Sequence, residues 1–383
     1  MSDQELVYKV NKSKMFVKLF DEEAKEFAVP DGVTSIGDNA FAHCFFLTSL
    51  TIPSGVTSIK GWAFCSCSSL KSLMIPDGVT TIGDCAFHSC SSLESLEIPA
   101  SVTSIGRGAF IRCSSLKSIV IPNGVTHIGE RAFQKCSSLT AIEVAENNPT
   151  YCSMDGTLFS KDKKELVLHP CGRNEKSFTI PDSVISVRGE AFRDCSSLES
   201  LEIPTGVTSF GRLAFSGCSS LKSLAIPAGV TRIEGAVFEG CSSLESLELP
   251  AGVTFIGGCA FADCSSLKFI NIPNGVTNIA GEAFRNCSSL ESAIIPDSVT
   301  SIGRGAFIGC SSLKSIAIPA SVTSLGREIF KGCSSLESAE ISASMTKMGE
   351  DDFEGCSQLT IRAPKGSYAE EYAKEKGIGF ESY

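Results

Sequence analysis

Apolar positions in this chain recur at a fixed spacing and do not gather into separate cores. Counted from a recurring cysteine as position one, leucine falls at four, leucine or isoleucine at seven and isoleucine at nine. Valine follows at thirteen, isoleucine at sixteen and Ala-Phe at twenty and twenty-one. Residues 90–112 show one unit in full: Cys-Ser-Ser-Leu-Glu-Ser-Leu-Glu-Ile-Pro-Ala-Ser-Val-Thr-Ser-Ile-Gly-Arg-Gly-Ala-Phe-Ile-Arg. The phenylalanine stands at 41, 64, 87, 110 and 133, then at 192, 215, 238, 261, 284, 307, 330 and 353. Every step is 23 residues except one of 59. Self-similarity of this kind is the signature of a repeat architecture.

Within a unit the apolar alternation at seven and nine predicts a strand with one inward face. Proline at ten ends it, and glycine or serine at twelve makes the turn. Val-Thr-Ser-Ile at thirteen to sixteen predicts a second short strand. Glycine at seventeen is expected to turn the chain, and Ala-Phe to sit on a short helical or 3₁₀ segment with the ring inside. One coil is too small to bury its own apolar face, so stability must come from stacking on neighbours. The 23-residue period with Leu-x-x-Leu/Ile-x-Ile inside it lies in the leucine-rich-repeat range. The expected fold is therefore an α/β repeat: a curved leucine-rich-repeat solenoid, mostly of short parallel strands with short helical or 3₁₀ segments, closed by hairpin and helix caps.

The breaks in the period give the organisation. Residues 1–29 lack the repeat and read as an N-terminal hairpin cap, with Val7-Tyr8-Lys9-Val10 and Met15-Phe16-Val17-Lys18-Leu19-Phe20 as its strands. Residues 30–146 form a first array, 147–180 a β-hairpin insertion around Asp155-Gly156, and 181–361 a second array. Residues 362–383 form a C-terminal helical cap, opened by the capping box Ser367-Tyr368-Ala369-Glu370.

Framework positions barely change from coil to coil, so binding information is expected where residues vary. Position five reads Lys71, Glu94, Lys117 and Thr140, then alternates as Glu199, Lys222, Glu245, Lys268, Glu291, Lys314 and Glu337. That alternation implies a higher unit of 46 residues and, stacked at strand spacing, a ladder of opposite charges. Position eight points outward and carries Met74, Val120 and Ile294 where exposure is expected. Exposed apolar patches often mark partner sites. Trp62 and Phe45-Phe46 near the start are further candidates, because aromatic residues are typical interface anchors. Strand propensity for the first three and packing against the cap for the others are the competing accounts.

Composition narrows the function. A formal net charge of −10 excludes a general nucleic-acid binder, which needs a basic footprint. No apolar run is long enough for membrane insertion. The start Met1-Ser2-Asp3-Gln4-Glu5 is polar and acidic, unlike a secretory leader. Thirteen of the eighteen cysteines share one repeat position and are expected to stack at about 4.8 Å as buried thiols, a spacing poorly suited to disulfides. Cys152 and Cys171, which flank the insertion, are the pair placed to bridge if any does. Cys85, His88 and Cys90 lie close in sequence, as do Cys65 and Cys67, but no paired Cys-x-x-Cys occurs, so no metal is expected. The four histidines occupy different stations, and neither a Gly-x-Ser-x-Gly nor a P-loop occurs, so neither an enzyme nor a cofactor is expected.

The unit Cys-Ser-Ser-Leu-Lys-Ser-Ile-x-Ile-Pro-x-Ser/Gly-Val-Thr-Ser-Ile-Gly-x-x-Ala-Phe resembles the leucine-rich repeat of BspA-like bacterial and protist surface proteins. The Asp-Gly-Thr-Leu-Phe stretch and the Gly-Ser-Tyr-Ala-Glu-Glu-Tyr-Ala tail resemble that family too, and the likeness covers residues 30–383. It implies a surface-displayed solenoid that works in cell adhesion or ligand binding, with no catalytic set. The expected protein is then a monomeric, non-catalytic, protein-binding solenoid whose partner is a protein, such as a host or matrix protein. The expected location is the cell surface or outside the cell, if an upstream signal has been removed. The alternative is a cytoplasmic protein-interaction scaffold.

Overall fold

The computed structural model describes residues 8–19, 21 and 23–383. Val7, Phe20 and the polar start Met1-Ser2-Asp3-Gln4-Glu5 lie outside the described residues. The chain forms two compact units, residues 1–173 and 174–383.

In the first unit Tyr8–Val10 pairs antiparallel with Met15–Leu19. The turn between them is held by Asn11, whose Oδ1 accepts from the Ser13 and Met15 amides at 2.9 and 3.0 Å. Met15–Leu19 then pairs in parallel with Ser35–Ile36, so the hairpin supplies the edge on which the first coil is laid. Ser58–Ile59, Thr81–Ile82, Ser104–Ile105 and His127–Ile128 follow in one seven-stranded sheet. Each pairing, such as Ser58 with Thr81 and Thr81 with Ser104, advances by one 23-residue period. The longer strand of each coil alternates as read: Leu73 and Ile75 are buried while Ser72 and Met74 face outward. The second unit repeats the scheme, with a four-stranded sheet over Arg232–Ile233 to Ser301–Ile302 and a six-stranded one from Phe269–Asn271 to Gly379–Ser382.

The third side of the coil corrects the sequence reading, for it is neither α- nor 3₁₀-helical. Overlapping turns run through it instead. Ala109, Ile111 and Cys113 donate back to the carbonyls of Gly106, Gly108 and Phe110. The residues that alternate with them, Gly108, Phe110 and Arg112, donate to Glu130, Ala132 and Gln134 of the next coil at 2.8–2.9 Å. A helix would direct every amide beyond its first turn to a carbonyl of its own segment. Here every second one is used to bind the neighbouring coil, which needs left-handed residues at Gly108 (φ 62°) and Arg112 (φ 60°). Among the described residues the single helix is Tyr368–Lys376.

Inside, the phenylalanines form a column of stacked rings. Phe41, Phe64, Phe87, Phe110 and Phe133 follow one another at 5.1–5.4 Å between centroids. Phe16 of the hairpin lies over Phe41 at 4.8 Å and 2°, so the cap contributes a ring of its own to the column. In the second unit the stack runs from Phe192 to Phe353 and ends edge-on against Tyr372 of the helix at 6.3 Å. Tyr372 also donates its hydroxyl to the Gly349 carbonyl at 2.9 Å, which ties the helix to the last coil. Gly379–Ser382 finishes that end by pairing in parallel with Thr360–Ala363.

Beside the rings runs the cysteine column. Cys67, Cys90, Cys113 and Cys136 each donate Sγ–H to the carbonyl of a phenylalanine 26 residues earlier, at 3.1 Å. The second unit continues the pattern from Cys218 to Cys356. The thiol fits a small site and gives a second donor to a carbonyl that already accepts the amide of the cysteine three residues on, as Phe110 does from Cys113. Burial pushes the Cys113, Cys241 and Cys287 thiols up to about 12. All eighteen cysteines are thiols, and only Cys85, Cys152, Cys171 and Cys259 are partly exposed. Since the thiolate is the reactive form, brief alkylation of native protein should add at most four labels, and alkylation in denaturant without reductant eighteen. Intact mass measures both. Native-source protein showing most column cysteines oxidised would overturn the thiol column.

Between the arrays, the stretch expected as one hairpin carries a third strand. Tyr151–Met154, Thr157–Ser160 and Glu165–Leu168 form an antiparallel meander. Its entry is clamped by the fully buried Asn148. The Asn148 Nδ2 donates to the carbonyls of Pro122 and Val125 at 2.7 and 2.9 Å, while its Oδ1 accepts from the Thr150 and Tyr151 amides. Cys152 and Cys171 are not bridged: Cys152 donates to Ser160 O at 3.2 Å and Cys171 to Cys136 O at 3.5 Å.

Candidate functional site

Alternation along the longer strand sends positions six and eight of every coil to the outside, and stacking turns them into a surface. Met74 lies opposite Glu97, Val120 opposite Glu143 and Ile294 opposite Asn271. All three are exposed, Met74 to 82% and Ile294 to 64%. Nothing in the stacking of coils accounts for an apolar side chain there. Met74 and Val120 share the first unit but are two coils apart with Glu97 between, roughly 10 Å along the stack. Ile294 belongs to the second unit.

The other candidates occupy different sides. Phe45 and Phe46 are exposed at the corner that leads into the longer strand, with Phe45 tilted against His43 at 5.7 Å. Trp62 sits on the turn side, its ring 5.3 Å from His88. Within the first unit, Met74 with Val120, Phe45-Phe46 and Trp62 therefore lie at three different places around the coil. Near Trp62, Cys65 Sγ lies 3.9 Å from His88 Nδ1, and burial lowers the His88 pKa with help from Arg112. Among the described residues no three His, Cys, Asp or Glu side chains converge as a metal ion would require.

Position five forms the ladder that the alternation implies. Lys117 reaches Glu94 at 3.4 Å, Lys268 reaches Glu245 at 3.2 Å and Lys314 reaches Glu291 at 3.6 Å. Glu199 is held from both sides, by Lys222 at 2.8 Å and Lys176 at 2.9 Å, and the two ammonium groups lower its carboxyl to about 2. These pairs are solvent-exposed and add little stability each. They neutralise one column of the face, which leaves its character to positions six and eight.

One further exposed aromatic lies outside position eight, at Phe269. It stands at position six, exposed to 52%, on the strand that pairs with the one bearing Ile294. The signal was present: the equivalent residue is serine in nearly every other coil.

Stacked parallel strands, a ring column and a variable outward face define a leucine-rich-repeat solenoid, a class that typically serves as a protein-interaction scaffold and is generally non-enzymatic. The chain belongs to the BspA type leucine-rich repeat region family, which matches residues 21–161, 170–291 and 278–367 in six copies. It is similar to a leucine-rich repeat protein from Bacteroides ovatus, at 32% identity over 100% of this chain and 99% of that one, TM-score 0.63. A leucine-rich repeat protein from Eubacterium ventriosum is 29% identical over 77% and 88%, TM-score 0.66. A leucine rich cell surface protein from Faecalibacterium prausnitzii is 27% identical over 85% and 94%, TM-score 0.60. No curated protein matches the chain. Among the described residues no helix is long and apolar enough to cross a membrane.

Proposed function

We propose that this protein is a cell-surface adhesin or ligand-binding protein that holds a protein partner on the outward face of its longer strands. The observation that carries this reading is the exposed Met74, in a column where the next coil carries Glu97. An apolar side chain that no stacking contact requires gains by burial against a partner. The similarity to a leucine rich cell surface protein supports the location. Purified protein should be retained on immobilised extracellular-matrix proteins, and Met74→Glu with Val120→Glu should weaken retention at least 10-fold. Retention no greater than on albumin, or unchanged in the double variant, would overturn the reading.

A second reading, an intracellular interaction scaffold, is favoured by one observation: the column cysteines act as hydrogen-bond donors and so need their protons. Such thiols persist most readily in a reducing compartment. Retention by immobilised lysate proteins and not by matrix proteins is the outcome that selects it.

A further inference from the structure

Two rules govern the outward face of the longer strands. Coils with glutamate at position five also carry it at position eight: Glu94 with Glu97, Glu199 with Glu202, Glu245 with Glu248, Glu337 with Glu340. Position six is serine in every strand from Ser49 to Ser338 except Ala141 and Phe269. Both rules fail in adjacent coils of the second unit, the first at Glu291 with Ile294 and the second at Phe269.

The register brings the two departures together. Phe269 pairs with Ser292 and Asn271 with Ile294, so Phe269 and Ile294 are diagonal neighbours on one face, about 7 Å apart. Ile270 and Ala293 between them point into the core. Strand propensity alone does not explain the coincidence, since serine serves at position six in all but one of the other coils. The surrounding charge is net negative. Lys268 is matched by Glu245, and Lys314 by Glu291. Glu248, which flanks the apolar pair on one side along position eight, takes part in no ion pair among the described residues; Glu340 on the other side lies opposite Arg362, which Glu381 pairs at 3.3 Å, so these three together keep one negative charge.

We infer that Phe269 and Ile294 anchor a partner protein segment that presents an apolar side chain between two lysine or arginine residues. Spacing makes the partner specific. Ile294 is two coils from Glu248 and two from Glu340, about 10 Å each way at strand separation. An extended peptide rises about 3.3 Å per residue, so its basic residues fall three places before and three after the apolar one. This rests on the proposed role of the strand face in binding and adds a locus and a partner chemistry to it.

The probes are synthetic peptides containing Lys-Ser-Ser-Phe-Ser-Ser-Lys, a version with glutamate for both lysines and one with serine for phenylalanine, followed by fluorescence anisotropy. The first should bind with saturation and the other two at least 10-fold more weakly. Phe269→Ser with Ile294→Ala, residues that other coils carry at those positions, should also cost at least 10-fold with the melting temperature kept. Glu248→Gln should flatten the salt dependence. No saturation by the first peptide up to millimolar concentration, equal binding of the acidic one, or an unaffected double variant would each overturn the site. Concentration-dependent self-association that the double variant abolishes would give the face to a second copy and overturn it too. Matrix retention that is lost in the Met74 and Val120 variant but kept in the Phe269 and Ile294 variant leaves the proposed function standing and removes this site alone.

Discussion

Replacing Phe238 with alanine should destabilise the second unit by ~3–5 kcal/mol, the cost of emptying a close-packed aromatic site. Phe238 is fully buried, with the rings of Phe215 and Phe261 each 5.5 Å away and nearly parallel. Its removal takes out the buried ring and two stacking contacts of ~0.5–1.5 kcal/mol each. The coils above and below are held in register by backbone hydrogen bonds on all three sides, so they cannot collapse into the gap. The Cys264 thiol, which donates to the Phe238 carbonyl, loses the packing that positions it. Urea denaturation followed by circular dichroism measures the effect. Phe46→Ala, at an exposed ring, should shift the midpoint by less than ~0.5 kcal/mol. Equal shifts for the two variants would mean that the column does not carry the core.

Gly257→Ala should cost at least as much as ordinary overpacking, ~1–3 kcal/mol and toward the upper end, although it adds one methyl group. The reason is close approach. A Cβ on Gly257 would lie 2.6 Å from the amide nitrogen of Gly235 and 2.7 Å from the carbonyl carbon of Glu234, both backbone atoms of the preceding coil. Neither can move aside without separating the two coils. Gly257 does not have a positive φ, so the loss is not one of conformational freedom. Gly252→Ala is the matched control, because its nearest neighbour would be 3.6 Å away. Thermal melts of the two variants separate the effects, and equal melting temperatures would refute the role of coil contact.

The repeat was legible in the sequence because each coil meets the same neighbours as the next. Leucine at four, cysteine at one and phenylalanine at twenty-one answer to one environment thirteen times over, and the pattern shows the alternation of inside and outside directly. The outward placement of Met74, Val120 and Ile294 followed from period-two geometry alone.

What depends on the partner of each backbone group was not legible. Ala-Phe looked helical because a local pattern cannot reveal that alternate amides bond to residues 22 places ahead, as Phe110 does to Ala132. Glycine at seventeen looked like a turn because sequence records the missing Cβ but not the neighbouring backbone that fills its place. Phe16 read as one more strand residue until the fold laid its ring on Phe41. Phe269 and Ile294 stand 25 residues apart and became neighbours only through the parallel register. Side-chain periodicity is a property of one strand and is written along the chain, whereas contact between coils exists only once they are stacked.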